Sequence, residues 1–472
     1  LYHGIARGAT LNAAERFPAP HCHPQTRTTV LNDISEFIAG GKSRILWLCG
    51  SVGCGKSAIA QTIAERCEKS GQLGASFFFA RDKDGRDNAQ VLFATMAAEL
   101  TAVFPEAQKK VEEAIEYDPS LLTKSLEVQF EKILLGPFGN IDRRLRKLIL
   151  IDALDECKDE GAQGRILRLI AGSVEHQRLP FCFVIVSRPE PHIREILDQE
   201  VSHFCRKIDL DTSSVDTDLA LYLRDNFKEI TRVDHLLRPM HQPWPGKDVI
   251  SKITAHASGQ FLYASLIVRF VGEPYWFPSD RLKIAIGYHG SAIETFKTLD
   301  KLYTQILLRD PEPDRLSKVL GVILHLREPP HLAFLVRLLS LGSVDISLTL
   351  HSLHSVLQIT TNNPIRIRHQ SFTDFLGDHA RSGPFYMEAT THHSHIARYC
   401  LQVMQDASDP EHVFGLKHWC YHCSRSADEE LLQDLQHIDL TRWIEWSAAQ
   451  NPAQDDFPLI ANMLQIVRGF FS

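Results

Sequence analysis

The sequence has no surplus of positive charge. Its 51 Lys and Arg stand against 58 Asp and Glu, a formal net charge of −7. A chain of this sign has no global field to hold a polyanion, which argues against a dedicated nucleic-acid binder. It has no apolar run near the roughly 18 residues a membrane helix needs. The best stretch, Phe261 to Val271, is short and carries Arg269. No basic segment followed by an apolar one opens the chain, so no secretory leader is read there. No repeat of fixed period is found, against a solenoid or propeller. The ten cysteines are scattered. Cys49, Cys54 and Cys157 sit in or beside the motifs below, where a disulfide would freeze a moving loop. A reducing, cytoplasmic compartment is expected.

What is present is ordinary globular material: 472 residues, 44% hydrophobic and 23% charged. At roughly 150 residues per domain this suggests about three domains. Residues 1–40 mix Pro, His and polar residues and end in an amphipathic stretch, Val30 to Ile38. This reads as a lead-in segment with one short helix. Ile45 to Cys49 is a short apolar run, as a strand buried on both faces should be. A glycine-rich turn and a helical stretch, Ser57 to Cys67, follow it. Then come a Phe-rich run (Ala75 to Ala80), a helical stretch (Ala89 to Phe104), and apolar runs at Leu148 to Ile151 and Phe181 to Val186. Strands alternating with helices predict an α/β core over 41–210, a parallel sheet with helices on both faces. Val215 to Ile230, Asp248 to Ala257 and Phe261 to Phe270 read as helices of a domain over 211–290. Over 291–380, helical stretches lead to two alternating runs, Val356 to Thr360 and Ile365 to Arg368, around Asn362-Asn363-Pro364. That pattern predicts a hairpin and, with the helices before it, a winged-helix domain. Residues 381–472 read as a C-terminal helical region.

Gly50-Ser51-Val52-Gly53-Cys54-Gly55-Lys56-Ser57 has the spacing G-x-x-x-x-G-K-S. Main-chain N–H groups must wrap the phosphates, and side chains would block them, so glycines belong at the bends. Lys56 would reach the β- and γ-phosphates, Ser57 would hold Mg²⁺ through its hydroxyl, and the helix that starts there would aim its positive end at the anion, with Ala58 in its first turn. Cys54 fills a variable slot as a small residue. The run Leu148 to Ile151 ends in Asp152, with Ala153-Leu154-Asp155-Glu156 after it. A carboxylate at the end of a parallel strand faces the ligand crevice. Asp152 would bind Mg²⁺, and Asp155 or Glu156 would polarise the attacking water. The next strand ends in Ser187-Arg188-Pro189-Glu190, where Arg188 could touch the γ-phosphate and report its loss.

Together these pieces resemble a NACHT-type NTPase of the signal-transducing STAND class, and more narrowly the fungal nephrocystin-like group. The resemblance rests on Gly50 to Ser57 with Ala58 to Thr62 after it, on Leu150 to Cys157 with its extra acidic pair at 155 and 156, and on Ser187 to Ile193. Upstream, Cys22-His23-Pro24-Gln25-Thr26-Arg27 is similar to the group's lead-in. The resemblance implies a small helical domain and a winged helix after the core, and a closed form held by bound diphosphate. Exchange for triphosphate would open the molecule and drive homo-oligomer formation, with outputs in non-self recognition or programmed cell death. It implies a sensor role for Arg188. It also implies contact between His369, in His369-Gln370-Ser371-Phe372, and the diphosphate. Effector and sensor domains would act as protein partners. Animal members carry a proline motif where this chain has Gly259-Gln260-Phe261, so the choice of ATP or GTP does not carry over.

Other signals are read as structural. Cys420-Tyr421-His422-Cys423 has one C-x-x-C pair and no second pair to complete a zinc set. His392, His393 and His395 read as surface or capping residues at a helix start. The run Arg143 to Lys147 reads as a solvated edge. The expected function is a nucleotide-bound switch with slow, Mg²⁺-dependent hydrolysis. A metabolic P-loop kinase and a scaffold that holds nucleotide without hydrolysing it are the alternatives.

Overall fold

The computed structural model describes residues 4–40, 43–81, 83, 85–211, 215–233, 244–273, 276–287, 295–308, 310–360, 363–426, 431 and 443. The chain divides into two compact units, Leu1–Val268 and Arg269–Ser472.

The first unit is built on strands β1 (Ile45–Cys49), β2 (Leu73–Phe78), β3 (Leu148–Asp152), β4 (Cys182–Ser187) and β5 (Cys205–Asp209). Its helices include α1 (Thr28–Gly40), α2 (Lys56–Lys69), α3 (Leu92–Val103), α4 (Pro105–Tyr117), α5 (Glu160–Glu175), α6 (Asp216–Val233), α7 (Lys247–Ala257) and α8 (Phe261–Val271). All strand pairs are parallel, in the order β2-β3-β4-β1-β5.

Successive side chains of a strand face opposite ways, and both faces here are covered. Trp47, Phe77, Ile149, Ile151, Phe183 and Ile185 join a core with α3, α4 and α5. Leu46, Leu48, Phe78, Leu150, Val184 and Val186 join a second core with α1 and α2. That double burial is why the central strands read as unbroken apolar runs.

The sequence did not announce β5. It is an edge strand, Cys-Arg-Lys-Ile-Asp, whose residues are half-buried or exposed. Lys207 lays its ammonium 4.7 Å from the Trp47 ring centroid. The other edge, β2, is closed by side chains: the Ser76 N–H donates to Glu99 at 2.6 Å, and the Leu11 N–H donates to the Ser76 hydroxyl at 3.1 Å. An edge occupied in this way offers no template to another strand.

The second unit contains α9 (Pro278–Gly287), α10 (Thr295–Leu307), α11 (Pro313–His325), α12 (Leu332–Leu339) and α13 (Ser343–Ser352). An antiparallel hairpin follows, β6 (Leu357–Thr360) and β7 (Asn363–Ile367), with Leu357 opposite Ile367. Then come α14 (Gln370–Leu376), α15 (Ala389–Val403) and α16 (His412–Cys423). Tyr303 packs on Phe372 and Phe375, and its hydroxyl lies 2.9 Å from that of Ser371.

The histidines of α15 differ from the sequence expectation. His395 is exposed, but His393 is buried, with its Nδ1 2.8 Å from His422 Nδ1, one donating to the other. His392 lies against Gly321, where a side chain would collide with its ring. The apolar stripe of α15 packs on α16, and His393 falls inside that seam. Cys420 and Cys423 are buried on α16.

Burial pushes His393 down to about 3 and His392 to about 4, and lowers His422 as well. The unfolded chain therefore takes up protons first. The stability these groups contribute is full above about pH 6.5 and is lost as pH falls toward the folded values. Glu99 acts with the opposite sign: burial raises it to about 7, so its contribution is full below the usual carboxylate range and is lost as pH rises through 7. We predict that the urea midpoint of a His393→Gln/His422→Gln chain falls less between pH 7 and pH 5 than that of the unaltered chain. The difference should grow by up to about 1.4 kcal/mol per pH unit for each histidine. Equal falls would mean that the pair is not neutral in the native state.

Candidate functional site

The phosphate loop leaves β1 at Cys49 and enters α2 at Lys56. Gly53 has φ +80° and Gly55 has φ +98°, values that glycine adopts without strain. Gly53 also lacks room: a Cβ there would lie 2.7 Å from the Cβ of Leu262. Val52 is half-buried in the turn, and Ala58 is half-buried in the first turn of α2. The Lys56 ammonium donates to the carbonyls of Gly50 and Ser51, each at 2.8 Å. Cys54 is buried, and burial raises its thiol, so it acts as a packed filler.

Asp211, just past β5, completes the loop. Its carboxylate accepts the Ser51 N–H at 2.8 and 3.0 Å and the Ser51 hydroxyl at 2.8 Å. Ser51 is thus held at its N–H by Asp211 and at its carbonyl by Lys56. Sequence reasoning missed Asp211 because the strand that delivers it is polar.

Asp152 ends β3 on the face of the sheet that carries α2. It is buried, and the Ser57 hydroxyl lies beside it and draws its pKa down. Burial raises its carboxyl to about 6, against the opposing pull of Ser57, Arg16 and Lys56. Arg16, a second residue that the sequence did not mark, comes from the lead-in segment. Its guanidinium lies 3.2 Å over the Phe78 ring and donates to Gln61, one turn beyond Ser57. Phe78 is the β2 partner of Asp152 in the sheet.

The acidic pair lies in a short turn, Leu154–Glu156, that follows Ala153 at φ +57°. Asp155 is engaged: it accepts the Arg188 N–H at 2.9 Å and pairs with the Arg188 Nε at 3.2 Å. Glu156 accepts the Arg81 N–H at 3.2 Å. Burial, helped by the charge of Asp155, raises it to about 7. A carboxyl that titrates near neutrality can take a proton from water at working pH, as a general base must.

The carboxyl-terminal end of the sheet therefore gathers Gly50 to Ala58, Asp152, Asp155, Glu156 and Arg188. His369 lies in the second unit. There it accepts a hydrogen bond from Arg269 at 3.0 Å, and burial lowers it to about 3.

Asp152 Oδ1 is fully buried and has no hydrogen-bond partner among the described residues. Buried acceptors are nearly always satisfied. An unsatisfied carboxylate oxygen beside a serine hydroxyl is a hard oxygen set of the kind Mg²⁺ takes. The donor set fits that ion.

Residues 26–188 match the family model of the Nephrocystin 3 N-terminal region. The chain is 25% identical over 353 residues to the vegetative incompatibility protein HET-E-1 of Podospora anserina. The match covers 71% of this chain and 25% of that protein, so the chain spans about a quarter of that relative's length. The chain carries an NTPase domain similar, at superfamily level, to those of fungal STAND proteins.

Among solved structures, PCH-2 of C. elegans aligns with TM-score 0.33 and 13% identity over 58% of this chain and 72% of its own. ORC1 of Aeropyrum pernix, solved in complex with DNA, aligns with TM-score 0.33 and 16% identity over 77% and 96%. At these scores neither bears on function.

The two loop glycines make a graded prediction. Gly55→Ala meets only strained backbone, since its nearest neighbour would be Phe261 at 3.9 Å. Gly53→Ala meets strain and the Leu262 side chain together. Both should destabilise the chain by roughly 1–3 kcal/mol, Gly53→Ala more. Urea denaturation of the two variants checks this; equal losses would place Leu262 elsewhere.

Proposed function

We propose that this chain is a NACHT-type nucleotide switch, binding ATP or GTP with Mg²⁺ at Gly50 to Ala58 and hydrolysing it slowly. The observation that carries the reading is the orphaned Asp152 oxygen beside Ser57, at the mouth of a glycine-bent loop closed by Lys56. Phosphoryl transfer needs positioning and charge neutralisation more than covalent chemistry from the protein.

In this reading Lys56 leaves its two carbonyls for the β- and γ-phosphates. Ser57 and Asp152 hold the metal, which when bound neutralises charge on the phosphate oxygens. Glu156 takes the proton of the attacking water. Asp155 is the positioning partner of Arg188, which senses the terminal phosphate. His369, in a winged-helix domain around the 357–367 hairpin, contacts the diphosphate in the closed state.

The domain limits proposed are 1–40, 41–210, 211–290, 291–380 and 381–472. Triphosphate would favour a homo-oligomer, with effector and sensor domains as partners. The similarity to a protein named for vegetative incompatibility supports an output in non-self recognition or programmed cell death.

Lys56→Ala should weaken ATP and GTP binding by at least about ten-fold in calorimetry, the loss of one charge-assisted contact. Unchanged affinity would refute the assignment of the phosphate loop. Glu156→Gln should bind nucleotide as before and hydrolyse it roughly a hundred-fold more slowly. Unchanged turnover in a phosphate-release assay would take the base role away from Glu156.

A further inference from the structure

Two carbonyls of the phosphate loop are held from outside it. The Gly53 carbonyl accepts the Leu262 N–H, in the first turn of α8, at 3.1 Å. The Cys54 carbonyl accepts Nη2 of Arg27 at 2.7 Å. In a trans peptide the carbonyl and the following N–H point opposite ways. Drawing these two carbonyls outward therefore turns the N–H groups of Cys54 and Gly55 to the inner side of the loop. Neither N–H has an acceptor among the described residues. Inward N–H groups without protein acceptors are what an anion requires.

Arg27 is built into this role. It is buried, and its backbone stands at φ +55°, strained for a residue with a side chain. Such strain persists where surroundings impose it. Here the Arg27 N–H donates to Asp218 of α6 at 2.8 Å, and its carbonyl accepts the Leu31 N–H of α1 at 2.9 Å. Its guanidinium lies 5.3 Å from the ring centroid of Phe261, the first residue of α8. One residue thus ties the lead-in to α6 through its main chain and to the loop and α8 through its side chain.

We propose that Arg27 and the first turn of α8 form an outer clamp that shapes the phosphate loop for a polyphosphate and couples its occupancy to α6 and α8. This rests on the nucleotide-binding reading above. Arg27 is a positioning residue: it acts through the Cys54 carbonyl and not on the ligand. Coupling of this kind is reciprocal, so bound polyphosphate tightens α8, and displacement of α8 weakens the grip.

The test compares the full chain with Arg27→Met, Arg27→Lys and Leu262→Pro. Leu262→Pro deletes one N–H, which in the first helical turn has no partner within the helix, at a position that tolerates proline. Binding of inorganic pyrophosphate, ADP and GDP is measured by calorimetry. Amide exchange of Phe261–Val271 is followed with and without ligand, and the melting temperature is taken without ligand.

The clamp predicts that Arg27→Met and Leu262→Pro bind pyrophosphate and diphosphate at least about ten-fold more weakly. Their unliganded melting temperatures should stay near that of the unaltered chain, and Arg27→Lys should be intermediate. Ligand should slow exchange in α8 of the unaltered chain and not in Arg27→Met, an effect that a merely structural residue would not produce. If Arg27→Met does not fold, Leu262→Pro carries the comparison. Full affinity in the folded variants, with Lys56→Ala still defective, overturns the clamp and leaves the nucleotide reading standing. No binding by the unaltered chain overturns both.

Discussion

A polyphosphate is gripped closely by groups that carry hydrogen-bond donors and little bulk, and the main chain supplies them best. A loop used in this way must turn its N–H groups in and its carbonyls out, against its own preference for compact local bonding. The first unit meets that requirement at residues 53 and 54, and holds the rest of the loop through its own partners. Glycine at 53 and 55 permits the turn. Asp211 takes the N–H of Ser51, Lys56 takes the carbonyls of residues 50 and 51, Leu262 takes that of 53, and Arg27 takes that of 54. The sheet places β1, β3 and β4 side by side, so that the residues answering the loop arrive at the carboxyl ends of neighbouring strands.

Charge at this edge is arranged so that no carboxylate is comfortable unaided. Burial raises both Asp152 and Glu156, and their mutual proximity to Asp155 adds to it. Cations offset that cost selectively. Arg188 pairs with Asp155 and its charge also reaches Glu156, Arg81 meets Glu156 through its main-chain N–H, and Asp152 has Ser57 and the more distant fields of Arg16 and Lys56. The three acids therefore divide their work by environment. Asp155 stays paired, Glu156 is raised to about 7 by burial, and Asp152 keeps one buried oxygen without a partner among the described residues.

What the sequence revealed follows from burial. Strands β1, β3 and β4 are covered on both faces, so their apolar runs are continuous and stop at the ligand edge. The 357–367 hairpin is legible through its alternation on either side of Asn362-Asn363-Pro364 in the sequence. Strand β5 is not, because an edge strand half in solvent carries Arg206, Lys207 and Asp209, and Asp211 is hidden with it. His393 is misread for a related reason. Helical periodicity tells which residues share a stripe, and the partner helix decides that a polar member of the stripe is covered. The phosphate loop and its acids are visible as spacings. The residues that shape the loop from outside are single positions, at 27, 211 and 262, with no spacing to announce them.

That separation in sequence has a physical consequence. The motif occupies eight residues, yet its geometry depends on Arg27 ahead of it and on Asp211, Asp218 and Leu262 more than 150 residues beyond it. Long-range contacts of this kind form only after the intervening chain has been ordered, because closing the loop between them costs entropy first. The loop cannot reach its working shape as a local structure. It reaches it when α6 and α8 have docked on the core, and the grip on an anion is therefore a property of the assembled unit. An anion site made in this way reports on the elements that complete it, which is the physical condition for a bound phosphate to be felt in the helices that follow.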